Sequence, residues 1–216
     1  MRSVASRVPL LPEGDALLVD SVDCSTWNIV AGSLPGAGRA SRWHPERVAD
    51  AEWTLTTTIR GSFFRAVNPA FRELALAGSR SAGRYSRAHE PTLYLSSSIA
   101  GVNAAMIAHR GARAERLDVV RVEVEAQGII DLRDTEVLRA IGIDVADAVA
   151  PWQDDVAAGR SPRSWAVRNR ALEVGAAGLI DPSRRDPGQW HLVLFRWNDG
   201  DAPSVRLGDS DTVEAR

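Results

Sequence analysis

The chain has 216 residues, of which 44% are hydrophobic and 25% are charged, and its formal net charge is −2. This composition is that of an ordinary globular protein, which excludes disorder of the whole chain, and the length suits one α/β or α+β domain with an extension. A chain without a positive excess lacks the phosphate-neutralising footprint of nucleic-acid-binding proteins, so we expect no direct nucleic-acid contact.

Cysteine and histidine usage predicts neither a disulfide nor a metal centre. Cys24 is the only cysteine, which rules out an intramolecular disulfide and fits a reducing cytoplasm. The four histidines are scattered without ligand spacing, so no metal site is expected. No stretch reaches the ~20 apolar residues that cross a bilayer, and the N-terminus lacks a signal-peptide pattern. We therefore expect a cytoplasmic protein without membrane contact.

The first part of the chain predicts an extension ahead of the main domain. A Gly- and Pro-rich run between Gly32 and Gly38 breaks any regular element. Residues 1–52 are accordingly assigned to an N-terminal extension and residues 53–216 to the domain. Near-alternating β-branched residues predict extended structure over 53–60 and 62–67 at the start of that domain.

Short strands and helices follow without a regular repeat. Further strands are predicted over 93–96, 119–124, 178–180 and 191–195, with a short extended piece over 129–132. Helices are predicted over 101–109, 135–141 and 164–174, the second capped by Asp134 or Thr135 and the third ending at Gly175. This order predicts an α+β fold with a central, partly antiparallel sheet.

Arginine and tyrosine side chains stand beside the predicted strands. Arg65 lies on the early strand, and Arg84 and Tyr85 precede the strand that carries Tyr94 and Ser96. Guanidinium groups offer a planar fork of donors for phosphate or carboxylate, and an aromatic ring offers a stacking surface. The pattern indicates an anionic ligand such as a nucleotide.

Each of these residues also has an ordinary structural explanation. An isolated arginine is more often a surface or ion-paired group, and Tyr94 alone would more often belong to the core. Ser183, after Asp181 and Pro182, can simply cap a turn. Only the joint placement of Arg65, Arg84, Tyr94 and Ser183 favours ligand binding.

From about Arg65 to Asn198 the chain resembles the RES-domain family. The resemblance is carried by the order and intervals of Arg65, the Gly83-Arg84-Tyr85 turn, the Tyr94-Leu95-Ser96 strand, Ile130-Asp131-Leu132-Arg133, Ser164-Trp165 and the stretch from Gly178 to Ser183. The family's fold resembles that of ADP-ribosyltransferases, and its characterised members are toxins of bacterial toxin-antitoxin pairs that break NAD at the nicotinamide–ribose bond. The resemblance thus implies an ADP-ribosyltransferase-like fold and NAD as substrate.

The family's functional residues carry over to named positions of this chain. The resemblance makes Arg65, Arg84, Tyr94 and Ser183 the catalytic set, with both arginines on the diphosphate, Tyr94 on nicotinamide or ribose, and Ser183 orienting the sugar. These four residues, with Tyr85 and Ser96, are the expected NAD-binding residues. Trp152 and Trp165 are further candidates for walls of the nucleotide pocket.

One departure from the family concerns the glutamate that would hold the ribose 2′-hydroxyl. The matching position is Ala105, and three explanations stay open. Glu90 replaces the missing acid, Asn103 binds the ribose without charge, or the chain is an inactive form. The family's usual asparagine before the last strand is also replaced, by Trp190-His191.

The resemblance implies the toxin of a type II toxin-antitoxin system that transfers ADP-ribose from NAD to a protein acceptor. The alternatives are an NAD glycohydrolase or phosphorylase that depletes NAD, and a catalytically impaired NAD-binding module. A cognate antitoxin with a helix-turn-helix DNA-binding part is the implied partner.

Overall fold

The computed structural model describes residues 55–106, 117–208 and 213–214. The predicted extension over 1–52, Cys24, and residues 107–109 of the first predicted helix lie outside these residues. The described strands are β1 Thr57–Val67, β2 Leu93–Ser96, β3 Asp118–Asp131, β4 Gly178–Pro182, β5 Trp190–Leu194, β6 Ser204–Leu207 and β7 Val213–Glu214. The described α-helices are α1 Ile99–Met106, α2 Thr135–Ile141, α3 Val145–Val149, α4 Gln153–Ala157 and α5 Arg163–Glu173.

Strand β2 and helix α2 have the predicted bounds. The carboxylate of Asp134 accepts hydrogen bonds from the backbone N–H groups of Glu136 at 2.9 Å and Val137 at 3.2 Å. These bonds satisfy donors that the first turn of a helix leaves unpaired. The helix ends where Gly142 takes a left-handed φ of 68°, which a residue without a Cβ adopts at little cost.

Strand β3 joins two segments that the sequence pattern separates. The predicted strand over 119–124 and the extended piece over 129–132 form one strand, Asp118–Asp131. Gly128 has a φ of 72°, so the chain changes direction there without leaving the sheet. The half of β3 before Gly128 pairs with β6 and β7, the half after it pairs with β4, and β1 pairs with both halves.

The sheet contains a closed ring of five strands. The strand order of the sheet is β1-β2-β5-β4-β3-β6. Strand β1 also pairs with β3, from Thr57 opposite Ile129 to Val67 opposite Asp118, and this pairing closes the ring of β1, β2, β5, β4 and β3. Strands β3 and β4 run parallel, whereas the other pairs are antiparallel. The α+β prediction with a partly antiparallel sheet is confirmed.

Apolar residues fill both faces of this sheet. On β5, Leu192 and Leu194 belong to one buried cluster, and Val193 between them belongs to the other, as the two-residue period of a strand requires. The second cluster is covered by α2 and α5, which contribute residues such as Ile141 and Val167. Each such aliphatic side chain contributes about 1.5–3 kcal/mol when fully buried. In the part of the chain that the structure describes, no helix has the length and apolar character needed to cross a bilayer.

Candidate functional site

A row of four residues crosses neighbouring strands and forms one side of a cavity. Phe64 on β1 pairs with Ser96 on β2, Ser96 pairs with His191 on β5, and His191 pairs with Asp181 on β4. Directly paired residues project from the same face of a sheet. All four line a single cavity, so the strand register itself brings them together.

The remaining lining residues come from β1 and β2, from the loops that flank the sheet, and from α1. Helix α1 supplies Val102, Ala105 and Met106, whose three- and four-residue spacings place them on one helix face. The other members are Arg65, Ala66, Arg84, Tyr94, Leu95 and Arg184. The cavity thus brings together the predicted site residues Arg65, Arg84, Tyr94 and Ser96.

Arg65 and Arg84 are almost completely buried, at 4% and 5% exposure. Arg65 Nη1 donates to the carbonyl oxygen of Tyr94 at 3.2 Å. Arg84 Nη1 donates to the carbonyl oxygens of Ala148 at 3.0 Å and Ala150 at 2.9 Å, at the end of α3. Backbone acceptors therefore fix both guanidinium groups without supplying a negative charge through these bonds.

The hydroxyl group of Tyr94 ties β2 to the turn that carries Arg84. Tyr94 Oη accepts a hydrogen bond from the backbone N–H of Tyr85 at 3.1 Å and lies 3.3 Å from Ser86 Oγ. Because Arg84 immediately precedes Tyr85, this bond also sets where the arginine leaves the backbone. Tyr94 has a structural role in addition to its place on the cavity wall.

A buried ion pair lies at the end of β4. Arg184 donates two hydrogen bonds to the carboxylate of Asp181, at 3.1 and 3.0 Å, and a third to the carbonyl oxygen of Ala148 at 2.7 Å. Tyr85 Oη donates to Asp181 Oδ1 at 2.9 Å. Burial and the neighbouring Asp181 raise the pKa of Tyr85 well above its usual value, so the phenol stays protonated and can act as this donor.

His191 lies beside this ion pair and is neutral near pH 7. Its Nδ1 is 3.1 Å from Ser96 Oγ. Burial lowers the pKa of His191; Asp181 works against this shift and Arg184 adds to it. The cavity therefore contains a neutral imidazole between a hydroxyl group and a carboxylate.

The other two predicted NAD-binding residues, Tyr85 and Ser183, are not among the lining residues. Tyr85 is fully buried behind the wall, where it bonds to Asp181. Ser183 Oγ accepts from the backbone N–H of Asp186 at 3.2 Å, and Ser183 N–H donates to Gln189 at 2.9 Å. Ser183 thus stabilises the connection between β4 and β5.

Glu90 and Asn103, the candidate replacements for the missing acid, are also absent from the lining. Glu90 accepts from the backbone N–H of Arg87 at 2.8 Å and forms an ion pair with Arg168. Burial opposes ionisation of Glu90, but the bonds and charges of Arg87 and Arg168 outweigh it and lower the pKa. This carboxylate is already engaged by two arginines outside the cavity.

The two tryptophans proposed as pocket walls are not lining residues either. Trp165 Nε1 donates to the carbonyl oxygen of Gly83 at 2.9 Å, and the Arg87 guanidinium lies 5.1 Å from the centre of the Trp165 ring. Trp152 is buried, with 5% exposure. Trp165 therefore stabilises the turn that carries Arg84 without lining the cavity.

Charge defines what the cavity can hold. Its lining has three arginines, Arg65, Arg84 and Arg184, and one carboxylate, that of Asp181, so these groups sum to +2 while His191 is neutral. A dianion such as a diphosphate matches that sum, and planar guanidinium groups suit its oxygens. Within the described residues, no three histidine, cysteine, aspartate or glutamate side chains cluster as they would around a metal ion.

Sequence reasoning gave no role to Asp181, Arg184 or His191. The sequence signal is the position of Asp181, directly after the apolar residues of a predicted strand. An acid buried at such a position almost always has a charged or hydrogen-bonding partner. Arg184, three residues later, is that partner. In the sequence, His191 stands out only as part of a departure from the family pattern.

The RES domain family model matches residues 45–214. Since the match covers most of the chain, the protein belongs to the RES-domain family. No curated protein matches the chain significantly in sequence.

The fold is similar to that of a chain in the crystal structure of the M. tuberculosis MbcT-MbcA toxin-antitoxin complex. The TM-score is 0.53 with 17% sequence identity, over 74% of this chain and 86% of that chain. This likeness shows that the two chains share a fold.

Proposed function

We propose that this protein is the toxin of a toxin-antitoxin pair, which binds NAD and transfers its ADP-ribose to a protein acceptor. The observation that carries the proposal is the cavity of a RES-family chain in which Arg65, Arg84 and Arg184 converge with Tyr94. The diphosphate of NAD carries two negative charges, equal to the excess of arginine over aspartate in the lining.

The residues divide the work of substrate binding. Arg65 and Arg84 hold the diphosphate, and Tyr94 and Ser96 contact the nicotinamide ribose. Ser183 and Tyr85 act behind the residues that contact the substrate. Ser183 fixes the β4–β5 connection, and Tyr85 fixes the carboxylate of Asp181. Cleavage passes through an oxocarbenium-like state, so fixed orientation and electrostatics supply most of the rate.

A cognate antitoxin is the partner in this proposal. The similar fold was seen in a complex that contains an antitoxin, and an active toxin needs such a restraint. The antitoxin carries a helix-turn-helix DNA-binding part, so this chain itself need not contact DNA. Coverage of the cavity by the antitoxin would exclude NAD.

Loss of NAD itself is the alternative outcome of the same chemistry. With water or phosphate as acceptor, the protein would be an NAD glycohydrolase or phosphorylase. A third possibility is an impaired NAD-binding module, which is favoured by Ala105: this lining position has no acid, and the carboxylate of Asp181 is already paired with Arg184.

The test uses the full chain with NAD labelled on the adenylate part, in the presence of cell lysate. Nicotinamide release and label on protein are followed together. Label on a discrete protein supports transfer, whereas nicotinamide release with free ADP-ribose products supports depletion. NAD binding without nicotinamide release would support the impaired NAD-binding module, and failure to bind NAD would reject the proposal.

A further inference from the structure

We propose that His191 is the general base of the reaction and takes the proton of the ADP-ribose acceptor. This inference rests on the proposed NAD chemistry and adds to it a residue that accepts the proton. It is carried by the position of His191 in the cavity wall and by the contacts of its ring.

The first argument is the anchoring of the ring. Nδ1 lies 3.1 Å from Ser96 Oγ, and among the described residues no hydrogen bond to Nε2 is present. A serine hydroxyl can accept as well as donate, so it can hold an Nδ1–H group both before and after the ring is protonated. The proposal assigns the proton of the neutral ring to Nδ1, which leaves the lone pair on Nε2.

The second argument is the charge around the ring. Asp181 is directly opposite His191 on β4, and its carboxylate stabilises an imidazolium that forms during the reaction. The other charged or titratable lining groups are Arg65, Arg84, Arg184 and Tyr94, and the arginines disfavour a permanent charge on the ring. The lowered pKa of His191, caused first by burial, agrees with a base that is neutral before the reaction.

The third argument is that the other candidates are already engaged. Both oxygens of Asp181 accept from Arg184, and one also accepts from Tyr85. The hydroxyl of Tyr94 already accepts from the backbone of Tyr85. Within the described lining, His191 is the neutral nitrogen base.

The step balances without a co-reactant beyond NAD and the acceptor. With a hydroxyl group or water as the acceptor, its oxygen forms a bond to C1′ of the nicotinamide ribose while the C1′–nitrogen bond breaks. The bonding electron pair leaves with nicotinamide, which becomes neutral. The acceptor proton passes to Nε2 of His191 and is then lost to solvent.

The decisive variant is His191→Asn, because an asparagine amide can reach toward Ser96 but cannot act as a base. The control is His89→Asn, since His89 is exposed and has a φ of 67° that asparagine tolerates well. Both variants and the parent are assayed in phosphate-free buffer for NAD binding and for single-turnover nicotinamide release between pH 5 and 8.

We expect His191→Asn to bind NAD within about threefold of the parent and to release nicotinamide about 100-fold more slowly, in the range of one general base. The parent rate should fall at acid pH as His191 is protonated, and the variant should lack that dependence. In His191→Ala, added imidazole should restore part of the rate, which a purely structural role would not allow.

Two outcomes would overturn the inference. One is a parent that releases nicotinamide while His191→Asn keeps the same rate and the same acid limb. The other is a parent that binds no NAD or releases no nicotinamide, and this result would reject the proposed reaction as well.

Discussion

Tyr94 Oη occupies the space next to Gly83: a Cβ added to Gly83 would lie 2.8 Å from this oxygen and 2.9 Å from Ser86 Oγ. The same oxygen accepts the N–H of Tyr85. Packing therefore limits residue 83 to glycine, and the turn that carries Arg84 lies in direct contact with Tyr94 of β2.

Gly83→Ala should lower the free energy of unfolding by about 1–3 kcal/mol, because the added methyl group must displace a hydrogen-bonded hydroxyl group. Urea denaturation measures the change. Gly101→Ala is the matched control, since a Cβ there meets its nearest neighbours at 3.5 Å and alanine favours the helix. Equal effects of both substitutions would contradict the packing argument.

Arg65→Gln should weaken NAD binding about 10- to 100-fold, the loss expected for a charged hydrogen bond. Arg60→Gln serves as the control on the same strand, because the Arg60 side chain is 74% exposed and pairs with Glu125 at the surface. Calorimetric titration with NAD separates the two variants. If they bind alike, the cavity is not the NAD site.

Ala105→Glu should speed nicotinamide release, because it places a carboxylate on the cavity face of α1, where positive charge on the ribose would be stabilised. Ala105→Gln provides nearly the same volume without charge. An increase with Glu but not with Gln is the expected result in a nicotinamide-release assay. An unchanged rate would show that another residue already holds the ribose.

Asp181→Asn should lower the free energy of unfolding by about 3 kcal/mol, because it leaves Arg184 buried without its counter-charge. The side chains of Asp181 and Arg184 are 6% and 9% exposed. Asp131→Asn is the comparison, since Asp131 and Arg133 are 24% and 44% exposed, and its cost should stay below about 1 kcal/mol. Guanidinium denaturation at pH 7 tests the difference.

Stability should fall as the pH drops from about 6.5 toward the lowered pKa of His191. In that window the unfolded histidine binds a proton that the folded histidine does not, so the free energy of unfolding decreases as the pH falls. The stabilising contribution is fully present above the unfolded pKa. His191→Asn should lose less stability than the parent between pH 7.5 and pH 5.5 in urea titrations. A parallel decline in both proteins would argue against a buried neutral ring.

Local patterns predicted most elements of this fold. The alternation of β2 and the Asp134 cap of α2 act over a few residues, so their sequence signals are direct. The continuity of β3 depends on Gly128 and on pairing with distant strands, and its sequence therefore reads as two pieces. The ring closure between β1 and β3 likewise joins residues that are 51 to 72 positions apart.

The cavity shows the same division between local and long-range information. Arg65, Arg84 and Tyr94 could be named because residue type and order along the chain suffice for them. Asp181 and His191 become neighbours only through the β4–β5 register, which no single segment reveals. Ser183 and Glu90 carry suitable chemistry, but Ser183 is used by a local turn bond from Asp186 and Glu90 by a tertiary ion pair with Arg168.

The carbonyl oxygen of Ala148 accepts hydrogen bonds from both Arg84 and Arg184. An anion held by these guanidinium groups would share them with the end of α3, so its affinity depends on where α3 lies. Linkage is reciprocal: if a ligand bound at α3 changes the affinity for the anion, the anion changes the affinity for that ligand by the same factor. Val145 and Val149 are exposed on this short helix, at 47% and 37%, and lie outside the cavity lining.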